Sequence, residues 1–419
     1  MSNNKPLEQS TVLIYDTGLS LEHAVKLASK VKRCLYFTPW VEAFPKFESF
    51  APGVGMEGIN KVLNYFAHIE EADWFMFPDV GAGDLCAYLK RTTNKPVYGA
   101  GKGEILEANR EVARQWQRRL GLKTQATKLV TGVSELRKEL KKSGHSYVKL
   151  DIFRGDIDSF EVKDVDSVGL TLDRIANAFG PFKEKYNFII EDYIGGLEPG
   201  LDLFFNGQRF LQPYLIGFEH AKSCYIGYYT TQLPLVFQKV LNKLTPLLRK
   251  LDYRGAISLE FRMPNKNDVY LIDWACRFPF PLSATYTEAL ENYSDVIYQI
   301  ARKRPILLKP KAKYVACLPL ASHIAEKNWV RLDFPENMRN KIKFRVACNV
   351  NGKYYGIKGH EWVYVLITWG NNINQMIEEL SRLADMVKAE GGLALDVIGG
   401  LNLIKKDIIE IQKMGIPFN

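Results

Sequence analysis

The chain has 419 residues, too many for one small core and suited to two or three subdomains. Hydrophobic residues make up 47% and no low-complexity tract interrupts them, which excludes the disordered and fibrous classes. No apolar stretch reaches the ~20 residues that span a bilayer, and Met1-Ser-Asn-Asn-Lys-Pro6 has no signal-peptide core, so a soluble, cytoplasmic protein with no membrane partner is expected. Six cysteines are scattered without a Cys-x-x-Cys pair, which argues against a zinc site or a disulfide framework. The net charge of +9 is spread in short groups such as Lys141-Lys142 and Lys405-Lys406. That distribution suits solubility and attraction of phosphate, and a nucleic-acid partner is not favoured.

Thr11–Tyr15 reads as a short apolar strand ended by Asp16-Thr-Gly18, and Leu21–Val31 has apolar positions at helical spacing. Cys34–Phe37, Trp74–Phe77 and Pro96–Tyr98 read as further strands, with Ile59–His68 and Asp84–Arg91 as helices. This βαβ rhythm predicts a parallel sheet with binding groups at its strand C-termini. Glu104–Leu120 reads as one long amphipathic helix closed by Gly121. A smaller module follows, with a Lys-rich helix Val133–Lys142, the strand Tyr147–Leu150 and the helix Leu170–Ala178. Strands Leu201–Phe205 and Phe210–Ile216 flank a turn at Gly207, then come a helix Leu233–Leu251 and strands Gly255–Arg262 and Val269–Asp273. The tail predicts strands Phe344–Val350, Lys353–Ile357 and Trp362–Trp369 and a helix Ile373–Glu390, a small sandwich-like cap.

Two segments are the most informative. Phe188-Ile-Ile-Glu-Asp-Tyr-Ile-Gly-Gly-Leu-Glu198 is an apolar run that stops at carboxylates and a Gly pair, a strand feeding a hinge. Asp268-Val-Tyr-Leu-Ile-Asp-Trp-Ala-Cys-Arg277 repeats the pattern, with Asp273 and Arg277 after a Tyr-Leu-Ile strand end. Charged groups at the mouths of buried strands are costly to hold unless they meet a metal, a phosphate or a hydroxyl.

These segments resemble the nucleotide site of the ATP-grasp ligases, and among them the phosphoribosylamine-glycine ligases. Further echoes stand in family order at Thr17-Gly-Leu-Ser-Leu-Glu-His-Ala24, Leu106-Glu-Ala-Asn-Arg110, Tyr147-Val-Lys-Leu150, Glu219-His-Ala-Lys222 and Asp273-Trp-Ala-Cys-Arg-Phe278. The resemblance implies an α/β fold with α+β lobes. It divides the chain into an N-terminal Rossmann-like domain (1–121), a small ATP-grasp lobe (122–190), a large one (191–335) and a small C-terminal α+β domain (336–419). It further implies a carbon-nitrogen ligase that transfers the ATP γ-phosphoryl group to a carboxylate, giving an acyl phosphate that an amine attacks.

The implied cofactors are ATP and Mg²⁺ or Mn²⁺; the implied substrates are a carboxylate and an amine, with the protein a monomer or homodimer. Arg110 and Lys149 match phosphate-binding positions, with Arg154 adding charge where the family has a Gly-rich loop. Glu191 would take the edge of the adenine amino group, Tyr193 would offer backbone groups to the ring, and Glu198 would accept from ribose hydroxyls. Glu260 and Asp273 would hold the metal. Arg277, with Lys149, would stabilise the transferring phosphoryl group, and Glu219, His220 and Lys222 would touch substrate.

The chain also departs from the pattern. Ala275 stands where the family has a metal-binding Asn, which keeps open a second reading, a nucleotide-binding module without turnover. Leu19, Ser20 and Leu21 stand where the family's glycines and Arg hold the phosphate of phosphoribosylamine, so a different amine acceptor is expected, in a pocket lined by Tyr225, Tyr228 and Tyr229. A third reading places the acceptor amine on a nucleic-acid base.

Overall fold

Short runs rich in β-branched and aromatic residues open the chain and pair as a parallel sheet. Its strands are β1 (Thr11–Tyr15), β2 (Arg33–Phe37), β3 (Ile59–Lys61), β4 (Trp74–Met76) and β5 (Val97–Tyr98), in the order β3-β2-β1-β4-β5. Helices α1 (Leu21–Ala28) and α2 (Gly83–Thr92) are its crossovers. The chain works outward on one side of β1 and then returns to the other, so the topological switch lies between the ends of β1 and β4. Residues 59–61 are extended, not helical as expected. Gly58 turns the chain at φ +70, Cys34 and Ile59 fall into register, and the helical turn is only a 3₁₀ turn at Phe66–His68.

The computed structural model describes residues 5–39, 50–151, 159–220, 224–393 and 397–418. The expected sites Arg154 and Lys222 lie outside them. The chain clusters into two compact units. The first comprises Met1–Gly103, Pro199–Ser258 and Ala275–Asn419, the second Glu104–Glu198 and Leu259–Trp274.

In the second unit the expected long helix is two. The helix α3 (Ile105–Ala108) stops at Asn109, which adopts φ −137 and whose side chain accepts from the backbone N–H of Val112. This cap starts α4 (Arg110–Arg119) and makes Arg110 its first residue. The strands β6 (Thr127–Thr131), β7 (Ser146–Leu150), β8 (Ser159–Val162) and β9 (Asn187–Asp192) form an antiparallel sheet in the order β6-β9-β7-β8. Helices α5 (Val133–Leu140) and α6 (Gly169–Phe179) supply Leu136, Leu140, Leu172 and Ile175 to a core with Val148, Leu150, Phe188 and Ile190. Because strand side chains alternate, Lys149 and Glu191 fall on the opposite face of the sheet.

The first unit resumes with β10 (Pro199–Phe205), β11 (Tyr214–His220), β12 (Cys224–Thr230) and α7 (Leu235–Lys250). Two strands, β13 (Gly255–Asn265) and β14 (Asp268–Ala275), carry the chain into the second unit and back. Then follow α8 (Ser283–Ala289), α9 (Tyr293–Ala301), β15 (Tyr314–Ala321), β16 (Val330–Asp333), β17 (Ile342–Phe344), β18 (Ala347–Val350), β19 (Lys353–Gly356) and β20 (Trp362–Gly370). The chain closes with α10 (Ile373–Met386), β21 (Lys388–Ala389) and α11 (Val397–Lys413). Within this unit β10-β11-β12-β15-β20-β17 are successive neighbours, and β18-β19-β16-β21 form a separate four-stranded sheet. The expected strand Phe344–Val350 is therefore split between two sheets. The expected helix to Glu390 ends at Met386 because residues 388–389 pair with β16. The strand expected at Phe210–Ile216 begins four residues later, at Tyr214.

Candidate functional site

Lys149 sits on the face of the second unit's sheet opposite α5 and α6, and the second-unit part of β14 brings Asp273 to it. The Lys149 Nζ lies 3.4 Å from Glu191 Oε2 and 3.4 Å from Asp273 Oδ2, and donates to the Ile272 carbonyl at 3.0 Å. From the first turn of α4, Arg110 donates to the Leu150 carbonyl at 2.5 Å and places its guanidinium 3.8 Å from Asp273 Oδ2. One helical turn on, Arg114 Nε donates to Glu191 Oε1 at 2.6 Å and reaches the Ile272 carbonyl as well. Gln125 donates to Glu191 Oε2 at 2.9 Å. Three cations thus surround two carboxylates, a surplus of one positive charge.

The sequence reading missed Arg114 and Gln125. Arg114 repeats Arg110 at i+4, a spacing that puts both on one helix face. Burial alone would push both carboxylates up; Lys149, Arg110, Arg114 and the Trp274 N–H instead hold Asp273 down at about 2, and Lys149 and Arg114 hold Glu191 below its usual range. Both acids are ionised at neutral pH. What the cluster offers is a pre-arranged group of basic side chains around two ionised carboxylates.

No family model matches this chain, and no curated protein matches it in sequence. Solved structures do match its fold. Phosphoribosylamine-glycine ligase from Thermotoga maritima is 16% identical, covers 91% of this chain and 98% of its own, and superposes with a TM-score of 0.66. The biotin carboxylase domain of 2-oxoglutarate carboxylase from Hydrogenobacter thermophilus, solved with MgADP, is 13% identical over 94% of each chain at a TM-score of 0.67. N5-carboxyaminoimidazole synthetase from Staphylococcus aureus, complexed with ADP, is 12% identical over 90% of this chain and 97% of its own at 0.59. The chain has the ATP-grasp fold.

Among the expected nucleotide-site residues, Glu191 departs from the expectation. Glu191 does not present its carboxylate to an adenine edge, because it is 1% exposed and both oxygens are engaged by Arg114, Gln125 and Lys149. It positions cations. Tyr193 donates its own N–H to the His145 carbonyl at 3.1 Å, which leaves its carbonyl for a ligand, and its ring stacks on His145 at 3.7 Å. Glu198 is accessible at the hinge end and pairs with Arg262. Glu260 is exposed on β13 and Asp273 is partly exposed on β14, the neighbouring strand. No group of three or more His, Cys, Asp or Glu that could enclose a metal occurs among the described residues. Two carboxylates still fit Mg²⁺, which keeps several waters and takes phosphate oxygens for the rest of its shell.

The other expected residues belong to the first unit. Arg277 lies 3.6 Å from Asp79 Oδ1 and donates to the Phe278 carbonyl at 3.0 Å. Glu219 and His220 close β11, opposite Tyr225 and Cys224. The three tyrosines do not line one pocket: Tyr225 and Tyr229 share a face of β12, and Tyr228 points the other way against Tyr314 and Phe418. The Tyr225 hydroxyl donates to the buried Asp202 at 2.6 Å, its ring lying across the cross-strand pair Gly217 and Gly227, where any Cβ would collide with it.

The N-terminal signature also plays a different part. Leu21 is fully buried and Leu19 packs on the cluster of Val346, Cys348 and Ile357, so Leu21 does not face a ligand as expected. Glu22 accepts from Arg339 at 2.9 Å and from the Phe344 N–H at 3.1 Å. His23 stacks on Phe278 and contacts the Tyr293 hydroxyl, and burial together with Lys343 lowers it to about 3, so it is neutral at physiological pH.

Proposed function

We propose that this protein is an ATP-dependent carboxylate-amine ligase that works through an acyl phosphate and uses an amine other than phosphoribosylamine. The observation that carries the reading is the cluster of Arg110, Lys149 and Asp273 on the sheet face opposite α5 and α6, held in place by Arg114 and Glu191. Phosphoryl transfer requires little covalent work from a protein beyond positive charge fixed along the triphosphate and a metal site beside it. Arg110 and Lys149 supply the charge. Their pairing with Asp273 keeps them oriented before nucleotide arrives, so little reorganisation remains when phosphate oxygens replace part of that pairing. Glu198 at the hinge is accessible to a ribose diol, and the Tyr193 carbonyl to the adenine amino group.

Asp273 and Glu260 would hold Mg²⁺, which when bound supplies charge neutralisation at the phosphate oxygens. Arg277 is proposed to steady the transferring phosphoryl group, and Glu219 and His220 to meet substrate. The fold relatives solved with ADP or MgADP support the choice of nucleotide. The test is ADP release from ATP with Mg²⁺ across a panel of amino acids and small amines. Release that requires one carboxylate and one amine together is the expected result. The second reading, nucleotide binding without turnover, is favoured by the buried, apolar Ala275 where a polar metal donor would be needed. Thermal protection by MgATP with no ADP release under any pair would establish that reading in place of the ligase.

A further inference from the structure

Positive charge is scattered in short groups along the sequence, yet the fold does not share it evenly. The second unit holds slightly more acids than bases, so the whole excess of +9 falls on the first. Within the first unit the stretch from Val296 to Ala325 carries six cations, Arg302, Lys303, Arg304, Lys309, Lys311 and Lys313, and no acid. Residues 305–313 run without helix past two adjoining cavities of about 820 and 540 Å³, which share Thr231 and Gln232. Pro305, Ile306 and Leu307 line the larger cavity together with Arg209, Gln238 and Asn242. Pro310, Ala312 and Lys313 line the smaller one together with Tyr228. Among the described residues no Asp or Glu lines either cavity. The Leu308 N–H donates to the Gln212 carbonyl at 2.8 Å, the Lys311 N–H to the Ala289 carbonyl at 2.8 Å and the Tyr229 N–H to the Lys313 carbonyl at 3.0 Å, so the backbone that carries the lysines is fixed in place.

Lys309, Lys311 and Lys313 are exposed and form no ion pair among the described residues. Glu291 meets Lys309 through its backbone N–H, 2.9 Å from the carbonyl, and Glu288 and Glu379, on α8 and α10, are taken by Lys26, Lys343 and Lys341. Lys311 Nζ lies 5.1 Å from the centre of the Trp369 ring and Lys313 Nζ 5.7 Å from that of Tyr228, and both rings are partly exposed. Burial lowers the pKa of Lys341, and the charge of Lys311 lowers it further, which agrees with a local surplus of positive charge. We propose that this groove binds a single-stranded nucleic acid, with phosphates on Arg209, Lys309, Lys311 and Lys313 and bases against the Tyr228 ring and the carboxamides of Gln232, Gln238 and Asn242. A cationic track with rings and amides beside it is the pair of parts that sequence-tolerant binding of single strands requires. A duplex is read by an element that enters its groove, whereas this surface is concave. A flat membrane surface would leave the amides of a concavity unmet, and an acidic peptide needs only the charge. The proposal does not depend on the ligase reading.

The experiment is fluorescence anisotropy of labelled oligothymidylate and oligouridylate of about 15 nucleotides, titrated with the full chain without ATP over a series of salt concentrations. One variant combines Lys309→Ala, Lys311→Ala and Lys313→Ala, and a second places Arg at the same three positions. A control combines Lys138→Ala, Lys141→Ala and Lys142→Ala in the second unit, which removes the same charge elsewhere. The parent is expected to bind both strands saturably. The groove alanine triple should bind at least about tenfold more weakly and lose about 2 from the slope of log affinity against log salt, at ~0.7 per phosphate contact. The arginine triple and the control should stay within about twofold of the parent. The three lysines are exposed, so the alanine triple should keep the parent's urea midpoint, and Arg209→Ala repeats the test by a single change if it does not. No saturable binding by the parent overturns the proposal, as does an equal loss in the groove and control triples, which would make net charge the cause. Tighter binding of a duplex, or displacement of the strand by polyglutamate at equal charge concentration, also overturns it. So does sedimentation with phosphatidylserine vesicles that the groove alanine triple abolishes while strand binding persists.

Discussion

Asp273 and Asp16 are two carboxylates at strand ends, and their neighbours move them in opposite directions. Asp273 stands among Lys149, Arg110 and Arg114 and is held down at about 2, whereas Asp16 is buried beside a phenol, a second carboxylate and two backbone amides and rises to about 6. Burial disfavours the charge in both. Compensation is what differs: Lys149 and Arg110 pair with Asp273, whereas at Asp16 the charge of Asp79 adds to the effect of burial. A strand end that carries an acid therefore does not by itself tell which ligand it serves.

The comparison breaks most severely at the residue that holds the cationic site together. Glu191→Ala strands Arg114 and Lys149 in a buried setting, and the expected cost is about 3 to 5 kcal/mol of unfolding free energy in a urea titration. A loss under about 1 kcal/mol would show that water already screens the cluster. Asp273→Asn keeps the shape and removes one negative ligand, so ADP release is expected to drop on the order of 10² to 10³-fold while urea stability changes much less. Parent-like turnover would remove Asp273 from the metal assignment.

The contrast between the two acids is sharpened by pH. The folded pKa of Asp16 is raised above its unfolded value, so its stabilising contribution is fully present below the unfolded value of 3.8 and is lost as pH rises through about 6. Asp273 is depressed, so its contribution is present above 3.8 and lost as pH falls through about 2. Asp16→Asn should therefore remove on the order of 2 to 3 kcal/mol of the stability decline between pH 4 and pH 6, compared with the parent by urea titration at each pH. An unchanged pH profile would mean that Asp16 is not the group titrating. The smallest effect belongs to Glu198→Gln at the accessible hinge, which should alter stability by no more than about 0.5 kcal/mol. A severalfold rise in KM for ATP with kcat retained is expected if it clamps the ribose, and an unchanged KM would count against that role.

Much of the architecture could be read from local pattern. Short apolar runs marked β1, β2, β4, β7 and β9, and the ordered echoes around Lys149, Glu191 and Asp273 pointed to the ATP-grasp fold, because apolar runs and strand-end chemistry are local properties. Other features lay in partners distant in the chain. Glu191 reads as a ligand contact in sequence, and in space Arg114 and Gln125 occupy its carboxylate. Leu21 reads as a block to phosphate in sequence and is a core residue in space, while Asp16 and Asp79 lie 63 residues apart, at the ends of strands that only the sheet order makes neighbours. The break at Asn109 was open to a capping argument, since Asn before a helical run is an N-cap signal that the amphipathic pattern overrode. The sequence by itself determined the strands that are continuous apolar runs and which residues carry charge. Tertiary structure decided which charges meet, because the sign of a carboxylate's shift depends on what packs within a few ångströms of it, and that is set by chain crossings far apart in sequence.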